Sequence, residues 1–247
     1  MARQRLDLRL VAAGLVSSRA RAQAAVSGGL VRVDGAVATK AAMLVRGDAL
    51  LSVEAAPELA YVSRAALKLL HGLDHFEIEV ADTVALDLGA STGGFTQVLL
   101  ARGAARVFAV DVGHGQLDAA IAADPRVTAI EGLNARDVDA ATVPVAPQLV
   151  VCDVSFISLK LALPASLALA APRAELLALI KPQFEVGRQG LGKGGIVRDP
   201  ALQEQACTDI ATFLEAEMGW AVQGVTPSPI TGGDGNQEYL IAARGPR

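Results

Sequence analysis

The chain has 247 residues, of which 52% are hydrophobic and 19% are charged, and its formal net charge is −4. This length fits one large domain or an ordinary domain with a small appendage, and the apolar content excludes intrinsic disorder as the main state. The longest apolar stretch, residues 161–172, is interrupted by prolines and a serine and is shorter than the roughly 20 residues that a membrane helix needs. We therefore expect a globular protein without a membrane segment.

Cysteine and histidine usage indicates a reducing compartment and no metal site. Cys152 and Cys207 have no ligand-like spacing and cannot form a disulfide framework, and the histidines at 71, 75 and 114 form no ligand cluster. The N-terminus has no apolar run followed by a cleavage site, as a secretory signal would. We expect a cytoplasmic protein that needs no metal.

Charge divides the chain into two modules. Residues 1–53 contain eight Lys or Arg against three Asp, whereas the rest contains 14 basic and 23 acidic residues. We predict a small basic domain over residues 1–58, a linker over 59–63 and a larger domain over 64–247. A basic module beside an acidic one is typical of an RNA- or DNA-docking appendage on an enzyme, although a solvated basic face would give the same count.

The small module is predicted to contain two helices followed by short strands. The first helix begins at Leu6 and leads into Gly14, and the second lies between Ser18 and Gly28, which suit an N-cap and a C-terminal stop. Asp34-Gly35 between two apolar runs is the strongest hairpin signal. The predicted strands are 30–33, 36–40 and 48–54.

The basic residues of this module have no aromatic residues interleaved among them, so RNA binding would depend on phosphate contacts and shape. The candidate RNA-binding residues are Arg3, Arg5, Arg19, Arg21 and Lys40, together with Arg64, Arg188 and Lys193 of the larger module. Residues 5–40 resemble the RNA-binding domain first described in the fourth small-subunit ribosomal protein. That resemblance implies an enzyme that modifies ribosomal or transfer RNA.

From residue 84 onward, predicted strands alternate with helices. The strands are 84–90, 106–112, 127–132, 149–155 and 175–182, with a last strand at 238–244. Alternation of this kind predicts an α/β fold with a parallel sheet covered on both faces, and ligands of such sheets bind beyond the carboxyl ends of the strands.

The first of these strands ends in a glycine-rich turn that leads into a helix. Its candidate cofactor-binding residues are Asp87, Gly89, Ser91, Thr92, Gly93, Gly94 and Phe95. The spacing differs from the G-x-G-x-x-G of dinucleotide-binding proteins, which disfavours a dehydrogenase. Asp111 ends the second strand, where a carboxylate can accept both ribose hydroxyls of NAD or of S-adenosylmethionine. Asn134 or Asp137 would face the adenine of such a cofactor. Alternatively, Asp87 and Asp111 are ordinary acids that cap turns.

Four ionic residues lie at or near other strand ends. Asp153 ends the fourth strand, Lys181 ends the fifth, Glu238 opens the last, and Lys68 lies upstream in YVSRAALKLL. Burying a lysine is costly, so the side chain of Lys181 could instead extend to water. Its proximity to Asp153 on an adjacent strand end favours a functional role.

These stretches together resemble the TlyA family of ribosomal RNA 2′-O-methyltransferases, whose catalytic domain is FtsJ-like. The matching strings are YVSR, LDLGASTGGFTQVLL, VDVGHGQL, CDVSFISL, LIKPQFEVG, GGIVRDP and SPITGGDGNQEYL. The resemblance implies a Rossmann-like sheet with an antiparallel last strand, S-adenosylmethionine as cofactor, and ribosomal RNA or ribosomal subunits as partner. It also implies that Lys68, Asp153, Lys181 and Glu238 form a catalytic tetrad that modifies a cytidine. Ala65 and Ala66 depart from the two glycines common in the family.

A ribose 2′-hydroxyl is a poor nucleophile, so such an enzyme must position and deprotonate it, and Lys181 can accept a proton only when neutral. The glycine-rich segment 187–199 is predicted to be a mobile loop near the RNA. Two other functions stay open at this point: a non-catalytic RNA-binding assembly factor, and a membrane-lytic protein, because the family also carries the name haemolysin. The sequence leaves the modified nucleotide and the oligomeric state open.

Overall fold

A computed structural model describes residues 3–16, 18–54 and 60–247, apart from the side chains of Ala20 and Arg188. The chain folds as two compact units, residues 1–63 and 64–247. Residues 55–59, which include most of the predicted end of the small domain and the start of the linker, lie outside the described residues. Within the described ranges, no helix is both long and apolar enough to cross a membrane.

The first unit combines two helices with two small antiparallel sheets. Its elements are β1 (Arg3–Arg5), α1 (Leu6–Ala12), α2 (Arg19–Ser27), β2 (Val31–Val33), β3 (Ala36–Val37), β4 (Leu44–Arg46) and β5 (Leu51–Val53). One sheet has the order β3-β2-β5, and β1 pairs with β4 in the other. The two predicted helices, the hairpin and the last strand are confirmed, although the strands are shorter than predicted. Strands β1 and β4 were not predicted.

Local chemistry explains the elements of this unit. The Ser18 hydroxyl accepts a hydrogen bond from the backbone N–H of Arg21 and so caps α2. Asp34 and Gly35 have φ values of 50° and 84°, as a two-residue hairpin turn with two left-handed positions requires. Leu6 and Leu10 on α1 are fully buried and form the centre of the unit's core.

The second unit contains a seven-stranded sheet and its covering helices. Its elements are α3 (Ala65–His75), β6 (Val84–Leu88), α4 (Gly94–Ala101), β7 (Arg106–Asp111), α5 (Ala119–Ala122), β8 (Val127–Glu131), β9 (Leu149–Cys152), α6 (Leu159–Ala162), α7 (Pro164–Leu169), β10 (Glu175–Ile180), α8 (Pro182–Glu185), α9 (Pro200–Ala216), β11 (Ala221–Pro227) and β12 (Tyr239–Arg244). Short 3₁₀ turns cover Ala135–Asp137, Arg188–Gly190 and Lys193–Gly195.

The strand order is β11-β12-β10-β9-β6-β7-β8. Strand β12 is antiparallel to both neighbours, whereas β10, β9, β6, β7 and β8 are parallel to one another. The predicted α/β fold, with a mostly parallel sheet and an antiparallel last strand, is confirmed. Strand β11 was not predicted. The central strands are buried almost throughout, as helices on both faces require.

The register of the central strands determines where their carboxyl ends meet. Leu88 of β6 pairs with Cys152 of β9, so the residues that follow these strands lie side by side. Ile180 of β10 pairs with Tyr239 of β12, and because these two strands are antiparallel, Lys181 and Glu238 flank the same end of the pair. The carboxyl ends of β6, β9 and β10 and the start of β12 therefore lie at the same end of the sheet.

Candidate active site

Four ionic side chains from distant parts of the sequence meet at this end of the sheet. Lys68 Nζ lies 2.5 Å from Glu238 Oε2 and 3.8 Å from Asp153 Oδ2. Lys181 Nζ lies 2.7 Å from Asp153 Oδ1. The four residues thus form one chain of alternating charges, from Glu238 through Lys68 and Asp153 to Lys181. We call these four side chains the ionic tetrad.

The tetrad is largely removed from water. The side chains of Lys68 and Lys181 are 9% and 8% exposed, and those of Asp153 and Glu238 are 13% and 3% exposed. Charges at such depth are tolerated only when they are paired, and each member here has an oppositely charged neighbour. The buried side chain of Lys181 does not extend freely to solvent, so the alternative role as a water-seeking surface lysine is wrong.

Helix α3 brings Lys68 to the tetrad. Gly72, one turn further along, packs so closely on β10 that an added Cβ would lie 2.7 Å from Leu177 Cδ2. Ala65 is the first residue of the helix and Ala66 is fully buried. Alanine has the highest helix propensity of all residues. With Ala65 and Ala66 at the start of the helix, Lys68 still contacts the carboxylates of Asp153 and Glu238.

The glycine-rich turn after β6 passes close to Asp153. Gly89 has φ +82°, and a Cβ there would lie 2.8 Å from the carbonyl oxygen of Asp153, so this approach requires glycine. Ser91 also has positive φ, at 46°, and its backbone N–H donates to Asp111 Oδ2 at 2.8 Å. Because Asp111 Oδ1 accepts from the N–H of Gly113 at 2.7 Å, the carboxylate of Asp111 is fixed in orientation.

Beside the tetrad lies a cleft of about 870 Å³, within the size range of ligand sites. Five of the sequence-predicted site residues line it: Gly89, Ser91, Asp111, Asn134 and Asp153. The other predicted cofactor and tetrad residues do not line it: Asp87, Thr92, Gly93, Gly94, Phe95, Lys68, Lys181 and Glu238. Of the two adenine-facing alternatives, Asn134 lines the cleft, whereas Asp137 is exposed and does not line it.

Several lining residues were missed by sequence reasoning. They are Val112, Gln116, Leu133, Ser155, Phe156, Ser158 and Phe184 among others. All follow a strand end, which is the only signal that could have found them. The Ser155 hydroxyl accepts a hydrogen bond from Lys181 Nζ at 2.9 Å, which extends the tetrad by one polar group.

Comparison with known proteins assigns the fold to a family. Residues 61–245 match the FtsJ-like methyltransferase family, and this range contains the whole tetrad and the cleft. The chain belongs to the FtsJ-like methyltransferase family. Residues 4–51 match the S4 domain, so the basic unit is an S4 domain.

Relatives at high identity cover nearly the whole chain. The 16S/23S rRNA (cytidine-2′-O)-methyltransferase TlyA of Mycobacterium tuberculosis is 46% identical over 242 residues, which cover 98% of this chain and 90% of that protein. A Streptococcus thermophilus structure described as a hemolysin is 37% identical, with a TM-score of 0.78, covering 100% of this chain and 90% of that chain. A Listeria monocytogenes S-adenosylmethionine-dependent methyltransferase, 17% identical, shares the fold over 74% of this chain and 100% of that chain, with a TM-score of 0.55. The chain is thus a TlyA-type member of the FtsJ-like family.

Asp87 of the FtsJ-like domain is buried beneath the glycine-rich turn and does not line the cleft. Its Oδ2 accepts a hydrogen bond from the Thr96 hydroxyl at 2.6 Å, and its Oδ1 has no hydrogen-bond partner among the described residues. Burial raises the pKa of Asp87 to about 7, and the hydrogen bond from Thr96 partly opposes this rise. Burial therefore favours the neutral form of Asp87.

The basic residues predicted to bind RNA differ in how they are held. In the S4 domain, Arg5 and Arg19 both pair with the buried carboxylate of Asp7, whereas Arg3 and Lys40 are exposed and Arg21 is half-buried. In the FtsJ-like domain, Arg64 and Lys193 are exposed, and the side chain of Arg188 lies outside the described residues. Within the described part of the chain, no group of three or more His, Cys, Asp or Glu side chains is arranged to hold a metal.

Proposed function

We propose that this protein transfers the methyl group of S-adenosylmethionine to the 2′-oxygen of a cytidine ribose in ribosomal RNA. The observation that carries the proposal is the ionic tetrad, in which two lysines and two carboxylates meet beside an 870 Å³ cleft. The 46% identity to a protein named as a 16S/23S rRNA (cytidine-2′-O)-methyltransferase supports the substrate and the position of the transferred methyl group.

The residues of the cleft fit S-adenosylmethionine. Each oxygen of Asp111 accepts one backbone N–H and keeps a second lone pair, so the carboxylate can still receive two ribose hydroxyls. Val112 and Leu133 provide apolar walls suited to a planar base, and Asn134 provides an amide beside them. Gly89 gives the close backbone approach between this site and Asp153. We propose that Asp87 supports this site from below the turn, together with Thr92, Gly93, Gly94 and Phe95, which fix the start of helix α4.

S-adenosylmethionine supplies a methyl group already activated by its sulfonium. The remaining task of the protein is to align the ribose oxygen and to remove its proton. We propose that Lys181, in its neutral form, would accept the 2′-hydroxyl proton, so that the ribose oxygen could take the methyl group that bound S-adenosylmethionine would supply. Asp153 and Ser155 orient the amine of Lys181 and stabilise the ammonium that forms. Alignment of the reacting atoms supplies much of the remaining acceleration.

Lys68 and Glu238 hold the other end of the tetrad. Lys68 lies between two carboxylates, so it offsets the negative charge of Asp153 and keeps that carboxylate in place beside Lys181. We propose that the S4 domain binds structured ribosomal RNA through Arg3, Arg5, Arg19, Arg21 and Lys40, with Arg64, Arg188 and Lys193 contacting the RNA from the FtsJ-like domain. Ribosomal RNA as a substrate implies a cytoplasmic site of action.

Transfer of labelled methyl groups from S-adenosylmethionine to purified ribosomal subunits that lack the modification tests the proposal. We expect label in RNA with the wild-type protein and none with Lys181→Ala, while both proteins bind S-adenosylmethionine with similar affinity. Tight binding to subunits by a wild-type protein that transfers no label would instead indicate a non-catalytic assembly factor. Label in RNA with Lys181→Ala would refute the role of Lys181.

A further inference from the structure

Two of the segments that carry the tetrad, those that follow β9 and β10, are joined by hydrogen bonds at both ends. At one end, Lys181 Nζ donates to the hydroxyl of Ser155 at 2.9 Å. At the other end, Glu185 accepts two hydrogen bonds, from the Ser158 hydroxyl at 2.5 Å and from the backbone N–H of Leu159 at 2.9 Å. The segment after β9 and the segment after β10 are therefore joined by side-chain contacts spaced three and four residues apart.

The segment between Ser155 and Ser158 holds an unfavourable backbone conformation. Phe156 has φ +66°, which is rare for an aromatic residue, and the residue is 91% exposed at the cleft. Its ring contacts the ring of Phe184, with centroids 5.2 Å apart. Such a conformation persists only when its surroundings fix it, and hydroxyl contacts of Ser155 and Ser158 lie on either side of Phe156.

Glu185 is suited to this role by its position and surroundings. It lies on helix α8, one turn after Lys181, and it is partly buried. Its Oε1 accepts from the backbone N–H of Leu159, which has no partner within α6, and its Oε2 accepts from the hydroxyl of Ser158, the N-cap residue of that helix. Burial raises the pKa of Glu185, and the hydrogen bonds from Ser158 and Leu159 oppose the rise. Glu185 itself does not line the cleft, whereas Ser155, Phe156 and Ser158 do.

We propose that Glu185 is a positioning residue for methyl transfer, which acts through Ser158 and Leu159 to hold Ser155 and Phe156 in register with Lys181. This inference rests on the proposed function and deepens it. Without Glu185, the segment after β9 can relax from the left-handed conformation at Phe156. Ser155 then moves away from Lys181, and the amine loses the hydrogen bond that orients it toward the substrate oxygen.

Three variants separate positioning from folding. Glu185→Ala removes both hydrogen bonds, whereas Glu185→Gln keeps an oxygen for the N–H of Leu159 and an N–H for the hydroxyl of Ser158. Glu204→Ala removes an exposed acid of helix α9 and is the matched control. The measurements are the single-turnover rate of methyl transfer to ribosomal subunits, the affinity for S-adenosylmethionine, and amide hydrogen exchange over residues 153–159.

We expect Glu185→Ala to lower the single-turnover rate by about 10- to 100-fold, with cofactor affinity changed by less than about threefold. Exchange at residues 153–159 should accelerate in Glu185→Ala and return to the wild-type rate in Glu185→Gln, which should also recover most of the activity. Glu204→Ala should match the wild type in all three measurements.

Three results would overturn the inference: an unchanged rate in Glu185→Ala, equal losses in Glu185→Ala and Glu185→Gln, or a lost rate that merely parallels lost cofactor binding. If Glu185→Ala does not fold, Ser158→Ala removes only one of the two hydrogen bonds, and an unchanged rate in that variant would equally contradict the proposal. A wild-type protein without methyl transfer would count against the proposed function, whereas an active wild type with an equally active Glu185→Ala counts against the positioning role alone.

Discussion

Asp7 in the S4 domain and Asp153 in the FtsJ-like domain are each flanked by two basic side chains. Asp7 pairs with Arg5 at 2.8 Å and with Arg19 at 3.2 Å, and Asp153 pairs with Lys181 at 2.7 Å and with Lys68 at 3.8 Å. The two arginines are 41% and 55% exposed, whereas both lysines are nearly buried. Both carboxylates are thus largely buried, but the cations are exposed in the S4 domain and buried in the FtsJ-like domain.

The choice of cation separates the two clusters by function. A guanidinium keeps its proton at every accessible pH and binds a carboxylate through a planar fork, so the cluster around Asp7 is static. The hydrogen bond from Arg5 holds the pKa of Asp7 well below its usual range, even though desolvation opposes this shift. The cluster around Asp153 contains lysines instead of arginines, and the proposed function therefore assigns proton transfer to this cluster.

Asp87 provides a third case, a buried carboxyl that has no cation bonded to it among the described residues. Its pKa is raised to about 7, in the direction opposite to that of Asp7. Burial alone therefore favours the neutral acid, and the neighbouring cations decide whether a buried carboxyl is charged. Changing the cation, the carboxylate or the pH in each of these environments should therefore have different effects.

The largest effect is expected from Lys181→Arg, which gives Asp153 the kind of cation that Asp7 has. The charge is kept but the proton acceptor is lost, so methyl transfer should fall by about 10³-fold, as for removal of a general base. Single-turnover assays at saturating subunits measure this rate, and cofactor affinity should stay within about threefold of wild type. A Lys181→Arg enzyme of near-normal rate would show that Lys181 supplies charge alone.

Removal of Glu238 should cost stability as well as activity. Glu238→Ala leaves the buried amine of Lys68 without its nearest partner, and breaking a buried ion pair costs about 3–5 kcal/mol of unfolding free energy. Denaturant unfolding measures this change. The control, Asp74→Asn, disrupts the exposed pair with Arg102 and should cost less than about 1 kcal/mol. Equal losses in the two variants would contradict the buried character of the tetrad.

The raised pKa of Asp87 predicts that the free energy of unfolding depends on pH. Between its ordinary pKa of 3.8 and the folded value of about 7, the folded protein holds a proton that the unfolded chain has released. The contribution of Asp87 therefore falls as pH rises through this window, by about 3 kcal/mol between about pH 5 and pH 8. Asp87→Asn should remove this slope in denaturant unfolding at the two pH values. Parallel profiles for the variant and the wild type would contradict the assignment.

The smallest effect is expected in the S4 domain. Asp7→Asn releases the forks of Arg5 and Arg19, so the affinity for ribosomal subunits should weaken by about three- to tenfold, while the rate at saturating subunits stays unchanged. Binding and single-turnover assays separate the two quantities. Asp48→Asn, which alters only an exposed pair with Arg46, is the control. A loss of rate at saturating subunits in Asp7→Asn would show that the two clusters are not separable.

The parallel sheet could be predicted from sequence because its strands are long, apolar and regularly alternated with helices. Strands β1 and β4 have three residues each and depend on pairing with one another, so neither produces a pattern of its own. Strand β11 is a half-exposed edge strand with a register shift between Val222 and Gly224, which interrupts the expected alternation.

The site could be predicted only in part, because sequence position does not fix the direction of a side chain. Phe95 follows the glycine-rich turn as a cofactor contact would, yet its side chain packs into the core. Phe156 and Phe184 carry no local signal for the cleft, since a left-handed backbone at Phe156 directs that ring outward. The positions of Lys68 and Glu238, 170 residues apart, came from family resemblance and not from any periodicity.

The most direct test of the account is chemical identification of the product on ribosomal RNA. Unmodified subunits incubated with S-adenosylmethionine and the wild-type protein are digested to nucleosides and analysed by mass spectrometry, beside a reaction with Lys181→Arg. We expect 2′-O-methylcytidine in the wild-type reaction and background levels with the variant. A methyl group on a base, or equal 2′-O-methylcytidine in both reactions, would contradict the proposed function.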